Sequence, residues 1–105
     1  MYDIEFYEKA AKQIERLDKA AQKRVLQAIN QLRDNPYKGK PLTETLRGLR
    51  SLPVTAPGAE YRAVYYVVEE DTVCVVIFVG SRERFYQRLT RSWEAYQRTY
   101  RIKRR

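Results

Sequence analysis

Residues 79–89, VGSRERFYQRL, place arginines and a tyrosine directly after an apolar run. Arg62 stands in a second segment that mixes a cation with apolar residues, EYRAVYYVV. A guanidinium can donate two parallel hydrogen bonds to phosphate oxygens. A tyrosine beside a bound phosphate can stack on a base or donate a hydrogen bond. These residue types predict a site for a phosphate group, formed by Arg62, Arg82 and Tyr86.

The order of the chain predicts that Arg62 and Arg82 lie close together. Residues 61–68 and 72–80 are rich in β-branched and aromatic residues and are joined by the short turn EED, which predicts a β-hairpin. A hairpin sets the start of its first strand opposite the end of its second. Two neighbouring guanidiniums repel each other unless an anion lies between them, and a bound phosphate would supply that anion. In the alternative interpretation, nearby carboxylates pair with the two arginines.

The carboxylates of that alternative are Glu60 and Glu83, each next to one of the segments.

Positive charge is concentrated in the last quarter of the chain. The formal net charge is +8, and residues 80–105 hold nine cations but only two acids. Such asymmetry suits a polyanion or an acidic protein partner, and a solvated basic tail explains it equally well.

Two residue counts limit the classes of site. The chain has no histidine and one cysteine, so it lacks the commonest general base and the commonest zinc ligand. We therefore expect no metal and no cofactor, and any catalysis must use arginine, lysine, tyrosine or a carboxylate. No apolar stretch approaches the roughly 20 residues that span a bilayer. A cytoplasmic protein without a membrane partner is the expectation.

The elements that position these groups follow from periodicity. Alternation in YDIEFY predicts a first strand, and helical spacing predicts helices over 8–17 and from about residue 19 to Asp34. Asp18 can cap the second helix. Residues 37–49 are predicted to form a loop. RSLPV is predicted to begin a strand that Pro53 confines to an edge or a bulge.

The last segment, from about Glu83 onward, is predicted to be a third helix. Its apolar face contains Phe85, Leu89, Trp93 and Tyr96. The order is then strand, two-helix hairpin, antiparallel three-strand meander and C-terminal helix. This order predicts an α+β fold with the helical hairpin on one face of the sheet.

The length of the chain predicts a single domain. That domain spans 1–105, with a basic C-terminal helix and tail over 84–105.

Residues 72–80 are apolar at both alternating sets of positions, so this strand is expected to be central and covered on both faces.

Three motifs in order resemble the RelE/ParE toxin superfamily, in particular its RelE-like branch. They are LRGL (46–49), YRAVYYVV (61–68) and VGSRER (79–84), after a two-helix hairpin, and the resemblance covers about residues 1–90. It implies a fold like that of small microbial ribonucleases. It also implies a toxin of a toxin–antitoxin pair, namely a ribosome-dependent endoribonuclease that cleaves translated mRNA by attack of a 2′-hydroxyl on the phosphate.

The resemblance also assigns residues and partners. The family's two arginines, which would stabilise charge on the phosphate, fall on Arg62 and Arg82, and its tyrosine falls near Tyr86. The resemblance thus makes these three the candidate catalytic residues. The implied partners are a cognate antitoxin, the ribosome and mRNA, and in related systems the antitoxin displaces the terminal helix. The candidate RNA-binding residues are Lys38, Lys40, Arg50, Arg84 and Arg88.

The chain departs from the RelE pattern in the segment before YR. RelE-type enzymes carry lysines there, whereas this chain has RSLPVTAPG, in which Arg50 is the only cation. Arginine stays protonated and cannot act as a general base; Glu44 and Glu60 are the fallback bases. Two other functions remain open: a ParE-like inhibitor of DNA gyrase without nuclease activity, and a nucleic-acid-binding module without an enzymatic role.

Overall fold

The computed structural model describes residues 1–81 and 85–103 and has a five-stranded sheet with helices on both faces. The strands are β1 (Asp3–Phe6), β2 (Lys40–Pro41), β3 (Arg50–Ala56), β4 (Ala59–Val68) and β5 (Val73–Ser81). The helices are α1 (Glu8–Glu15), α2 (Lys19–Asn30) and α3 (Phe85–Lys103), with 3-10 turns at Gln31–Arg33 and Glu44–Leu46.

The predicted α+β fold class is confirmed. Across the sheet the order is β1-β5-β4-β3-β2. β1 runs parallel to β5, while the other neighbours are antiparallel, so the sheet is mixed. β2 falls inside the segment 37–49, which was predicted to be a loop, so that part of the prediction was wrong. The sequence gives no sign of this strand, because it has only two residues, one of them a proline, and shows no alternation.

The helical hairpin begins and ends for local reasons. The Asp18 side chain accepts a hydrogen bond of 2.8 Å from the Ala21 N–H, which caps the start of α2 as predicted. The α-helix ends at Asn30 rather than near Asp34 because the next three residues tighten into a 3-10 turn. Pro36 then prevents helix at the residue before it.

Strand β5 has the central position that its apolar sequence predicted. It lies between β1 and β4 and is buried from Cys74 to Gly80. Cys74 and Val76 pack with α1 and α2 on one face, and Val75 and Phe78 pack with α3 on the other. The two faces therefore carry two separate apolar clusters.

Helix α3 covers only part of its face of the sheet. Its buried residues Phe85 and Leu89 pack with Phe78, and Trp93 stacks on Tyr96 with ring centroids 5.2 Å apart. The predicted apolar face of this helix is confirmed. α3 contacts β5, whereas β3 lines an open cleft on the same side. None of the helices within the described ranges is long and apolar enough to cross a membrane.

Cys74 makes the stability of the fold depend on pH. Its side chain is 0% exposed, and burial raises the pKa of its thiol. An unfolded thiol has a pKa of about 8.5, so the unfolded chain loses this proton first as the pH rises, and the free energy of unfolding falls. Between pH 8 and pH 9.5 we expect wild type to lose roughly 1 kcal/mol more than Cys74→Ala. Urea denaturation of both proteins at each pH measures this, and parallel pH profiles would contradict it.

Candidate functional site

A cleft of about 500 Å³ lies on the α3 side of the sheet, over β2, β3 and the beginning of β4. Its floor is the part of the sheet that α3 leaves uncovered. The residues of its lining that bear on chemistry are Lys40, Ser51, Pro53, Glu60, Arg62 and Tyr86. Thr55 and Tyr61 line it as well, so among the described residues the cleft joins two cations, one carboxylate, two aliphatic hydroxyls and two phenols.

The strand register explains how Arg62 and Glu60 come to share this cleft. Arg62 lies opposite Pro53 on β3 and opposite Gly80 on β5, and Glu60 lies opposite Thr55. Residues two apart on a strand point to the same face, so both charged side chains project to the α3 side. Pro53 is tolerated because β2 pairs only with the first two residues of β3, which leaves the edge open at the proline.

Arg62 is half-buried at the floor of the cleft. Within the described residues no ion pair joins it to Glu60. The other pairings of the carboxylate alternative involve Arg82 or Glu83, which fall outside the described ranges, so that alternative stays a prediction. Arg82 and Arg84 lie outside the described residues. The partner of Arg62 on β5, Gly80, is two residues before Arg82, as the predicted hairpin requires.

Tyr86 reaches the cleft from the first turn of α3. Its side chain is 50% exposed, and its ring meets the buried Phe85 ring edge-on, with centroids 5.3 Å apart. Phe85 anchors the helix and Tyr86 is left at the rim. The structure thus brings together Arg62 and Tyr86, two of the three predicted catalytic residues.

Lys40 enters the cleft from β2 and lies directly opposite Ser51 of β3. Ser51 is only 4% exposed, and in the part of the chain that the structure describes its hydroxyl has no hydrogen-bond partner. The sequence predicted Lys40 as an RNA contact but missed Ser51. The alternation Ser51, Pro53, Thr55 on β3 was the available signal, but without β2 it did not point to a site.

The backbone before Lys40 is held by buried hydrogen bonds, and we call residues 36–40 the anchored segment. The Tyr65 hydroxyl donates to the Pro36 carbonyl at 2.7 Å and accepts from the Gly39 N–H at 2.9 Å. Burial raises the pKa of this hydroxyl, which keeps it protonated as a donor; the Gly39 hydrogen bond and the charge of Arg50 oppose the rise. The segment is therefore fixed from the interior of the protein.

Gly39 is required by the closeness of this contact. A Cβ atom there would lie 2.8 Å from Cε1 of the Tyr65 ring and 3.0 Å from the Ser51 carbonyl oxygen. Arg50 adds a second anchor, since its Nε donates to the Gly39 carbonyl at 2.8 Å and its guanidinium lies 5.2 Å from the Tyr37 ring centroid. Any larger residue at position 39 would push the segment away from the sheet.

Three other predicted RNA-binding residues that the structure describes, Lys38, Arg50 and Arg88, are not among the residues that line the cleft. Lys38 donates to the Gln31 side chain, Arg50 donates to backbone carbonyls, and the Arg88 guanidinium lies 5.6 Å from the Phe78 ring centroid. Their contacts with RNA stay predictions. Of the two fallback bases, Glu60 lines the cleft and Glu44 lies on an exposed 3-10 turn. Within the described residues there is no group of three or more side chains that could hold a metal ion.

Comparison with known proteins identifies the family. The sequence model of the ParE-like toxin of type II bacterial toxin–antitoxin systems matches residues 4–90. The chain belongs to this toxin family. A putative RelE-like toxin protein of Escherichia coli is 31% identical over 83 residues, which is 79% of this chain and 85% of that protein. The predicted membership of the RelE/ParE superfamily is confirmed.

Solved structures support the same relationship. The RelBE2 toxin–antitoxin complex of Mycobacterium tuberculosis contains a chain that is 29% identical, with a TM-score of 0.65 over 77% of this toxin and 91% of that chain. The isolated RelE toxin of Escherichia coli shares the fold at 22% identity, with a TM-score of 0.66 over 87% of this toxin and 98% of that chain.

Proposed function

We propose that this toxin is a ribosome-dependent endoribonuclease that cuts translated mRNA. The observation that carries the proposal is the cleft in which Arg62, Lys40, Glu60 and Tyr86 meet. A cleft with two cations suits an RNA phosphate, and a carboxylate beside them supplies a base that arginine cannot replace. This is a complete set of groups for transfer of a phosphate ester without a metal or histidine.

In the proposed reaction the ribose 2′-oxygen attacks the adjacent phosphorus, and the bond to the 5′-oxygen breaks. The products are a 2′,3′-cyclic phosphate and a free 5′-hydroxyl. The nucleophile gives up one proton to Glu60, and the leaving 5′-oxygen takes one from a solvent water. Arg62 stabilises the negative charge that develops on the phosphate oxygens, as fixed donors do in a water-poor site.

Glu60 is the proposed general base. Tyr86 is proposed to donate a hydrogen bond to the leaving oxygen or to stack on the neighbouring nucleobase. Glu60 is two residues before Arg62 on the same face of β4, so its carboxylate and the guanidinium approach the same phosphodiester group. Tyr86 faces them across the cleft. With Glu60 as the general base, the reaction does not depend on a lysine of β3.

Glu60→Gln is expected to lower the rate of mRNA cleavage by about 10²-fold, because the amide cannot take the proton of the nucleophile. Single-turnover cleavage of mRNA bound in the ribosome measures the effect. Glu5→Gln removes an exposed carboxylate from β1 and serves as the matched control with an unchanged rate. Equal rates for the two variants would exclude Glu60 as the base.

The proposed protein partner is an acidic antitoxin. Two of the structural relatives are toxin–antitoxin complexes, from Mycobacterium tuberculosis and from Escherichia coli. The last quarter of this toxin is strongly basic, so an acidic segment would complement its charge. The ribosome and its mRNA are the proposed targets, and a cytoplasmic location follows from them.

Inhibition of DNA gyrase is the second candidate. The matching family is described as ParE-like, and the β3 residue that faces Arg62 is Pro53, whereas RelE-type enzymes carry lysines on this segment. A toxin that binds gyrase needs no cleavage chemistry, so the missing lysines would not impair its function.

One experiment separates the two candidates. The toxin is induced alone in a bacterial host, the 5′ ends of mRNA are mapped, and purified toxin is added to a gyrase supercoiling assay. Cuts clustered within translated codons, with supercoiling unaffected, are the expected result. Growth arrest with intact transcripts and inhibited supercoiling would replace the nuclease with the gyrase inhibitor.

A further inference from the structure

We propose that Lys40 and Ser51 form a second phosphate subsite in the cleft. It would take a phosphodiester group of single-stranded RNA next to the group at Arg62. The inference rests on the proposed function for the class of ligand, and it adds a place where the substrate is held that is separate from the reacting phosphate.

The Ser51 hydroxyl is the first argument. It is 96% buried (4% exposed) and lines the cleft, yet it has no hydrogen-bond partner in the described part of the chain. Buried polar groups are nearly always hydrogen-bonded, because an unpaired one retains its desolvation cost. A phosphate oxygen at this end of the cleft would accept from the hydroxyl and remove that cost on binding.

Lys40 is the second argument. It lies opposite Ser51 in the β2–β3 pairing, so its ammonium can approach the same anion. Its backbone is fixed by the anchored segment, whose buried hydrogen bonds to Tyr65 leave little of it to be ordered on binding. β3 itself has no lysine, and β2 places a cation at the neighbouring edge instead.

The spacing along the sheet separates the two subsites. Ser51 and Pro53 are two residues apart on β3, and Arg62 lies opposite Pro53. Two residues span roughly 7 Å of an extended strand. Lys40 and Arg62 also lie on opposite sides of β3, so the width of that strand adds to their separation. One phosphate is too small to bridge this distance, so the two cations are positioned for different phosphates of one RNA strand.

The test is binding of a short single-stranded RNA in which every ribose carries a 2′-O-methyl group, so that it cannot be cleaved. Fluorescence anisotropy is recorded from 50 to 200 mM salt. Lys40→Gln is expected to reduce the slope of log affinity against log salt by about 0.7, the value for one phosphate contact in a single strand. Lys19→Gln, on the exposed start of α2, removes the same charge elsewhere and should keep the wild-type slope.

Ser51→Ala separates binding from folding. We expect about 10-fold weaker binding, as for a lost hydrogen bond to a charged group, with the salt slope unchanged. Its melting temperature should equal or exceed that of wild type, because the substitution removes a buried hydroxyl without a partner. Weaker binding together with a lower melting temperature would instead make Ser51 a folding residue and overturn the subsite.

Two further results would overturn it: no measurable binding of the probe by wild type, or affinities of Lys40→Gln and Ser51→Ala that match Lys19→Gln. Cleavage of ribosome-bound mRNA is measured in parallel. If wild type cleaves and both variants bind like the control, the subsite is wrong and the nuclease stands. If wild type does not cleave but binding depends on Lys40 and Ser51, the nuclease is wrong and the subsite stands.

Discussion

Arg62→Gln is expected to lower the rate of mRNA cleavage by about 10³-fold, the upper end of the effect of removing one preorganised donor to a developing oxyanion. The arginine is half-buried on the floor of the cleft and is held in place by β4, with paired strands on both sides. Its charge acts in a partly dehydrated site, where it stabilises the transition state more than it would in water. Glutamine keeps a similar length and polarity but removes the charge.

The control is Arg24→Gln, an exposed position on α2 across the sheet from the cleft. It makes the same change in net charge, so it reveals any general loss of attraction to the ribosome. Single-turnover cleavage and thermal unfolding are recorded for both variants. A cleavage rate of Arg62→Gln within 10-fold of wild type, in a folded protein, would remove Arg62 from the reaction and leave the nuclease without its central cation.

Sequence reasoning located the parts of this site that depend on local pattern and hairpin geometry. Two β-rich segments joined by a short turn place Arg62, near the start of β4, beside the end of β5. The structure pairs Arg62 with Gly80 there. The Asp18 cap is equally local, since side chain and backbone partner are three residues apart. Such features need no knowledge of distant contacts.

The other half of the cleft was not predictable in this way. β2 is formed by hydrogen bonds to β3 and by the anchored segment, not by any periodicity of its own. Without β2, nothing in the sequence joins Lys40 to Ser51. Arg50 illustrates the same limit, because two of its donors bond to the carbonyls of Tyr37 and Gly39, contacts that become visible only once the chain has folded.

Tyr65→Phe is expected to lower the free energy of unfolding by about 2 to 3 kcal/mol, although only one oxygen atom is removed. The hydroxyl serves two buried backbone groups, the Gly39 N–H and the Pro36 carbonyl, and each buried group left without a partner costs about 1 to 3 kcal/mol. Water cannot readily replace the hydroxyl, because Tyr65 is fully buried in the cluster beneath α1 and α2. Urea denaturation measures the change.

Tyr37→Phe is the matched control, because it removes the same atom from a ring that is 44% exposed and bonded to Glu69 at the surface. Its cost should stay below about 0.5 kcal/mol. If Tyr65→Phe and Tyr37→Phe unfold alike, the anchored segment is not held from the interior. If only Tyr65→Phe is destabilised, it should also bind the 2′-O-methyl RNA more weakly while folded, because Lys40 is then no longer fixed opposite Ser51. The salt slope would stay at the wild-type value, since no charge is lost. Stability and substrate placement then depend on the same buried hydroxyl.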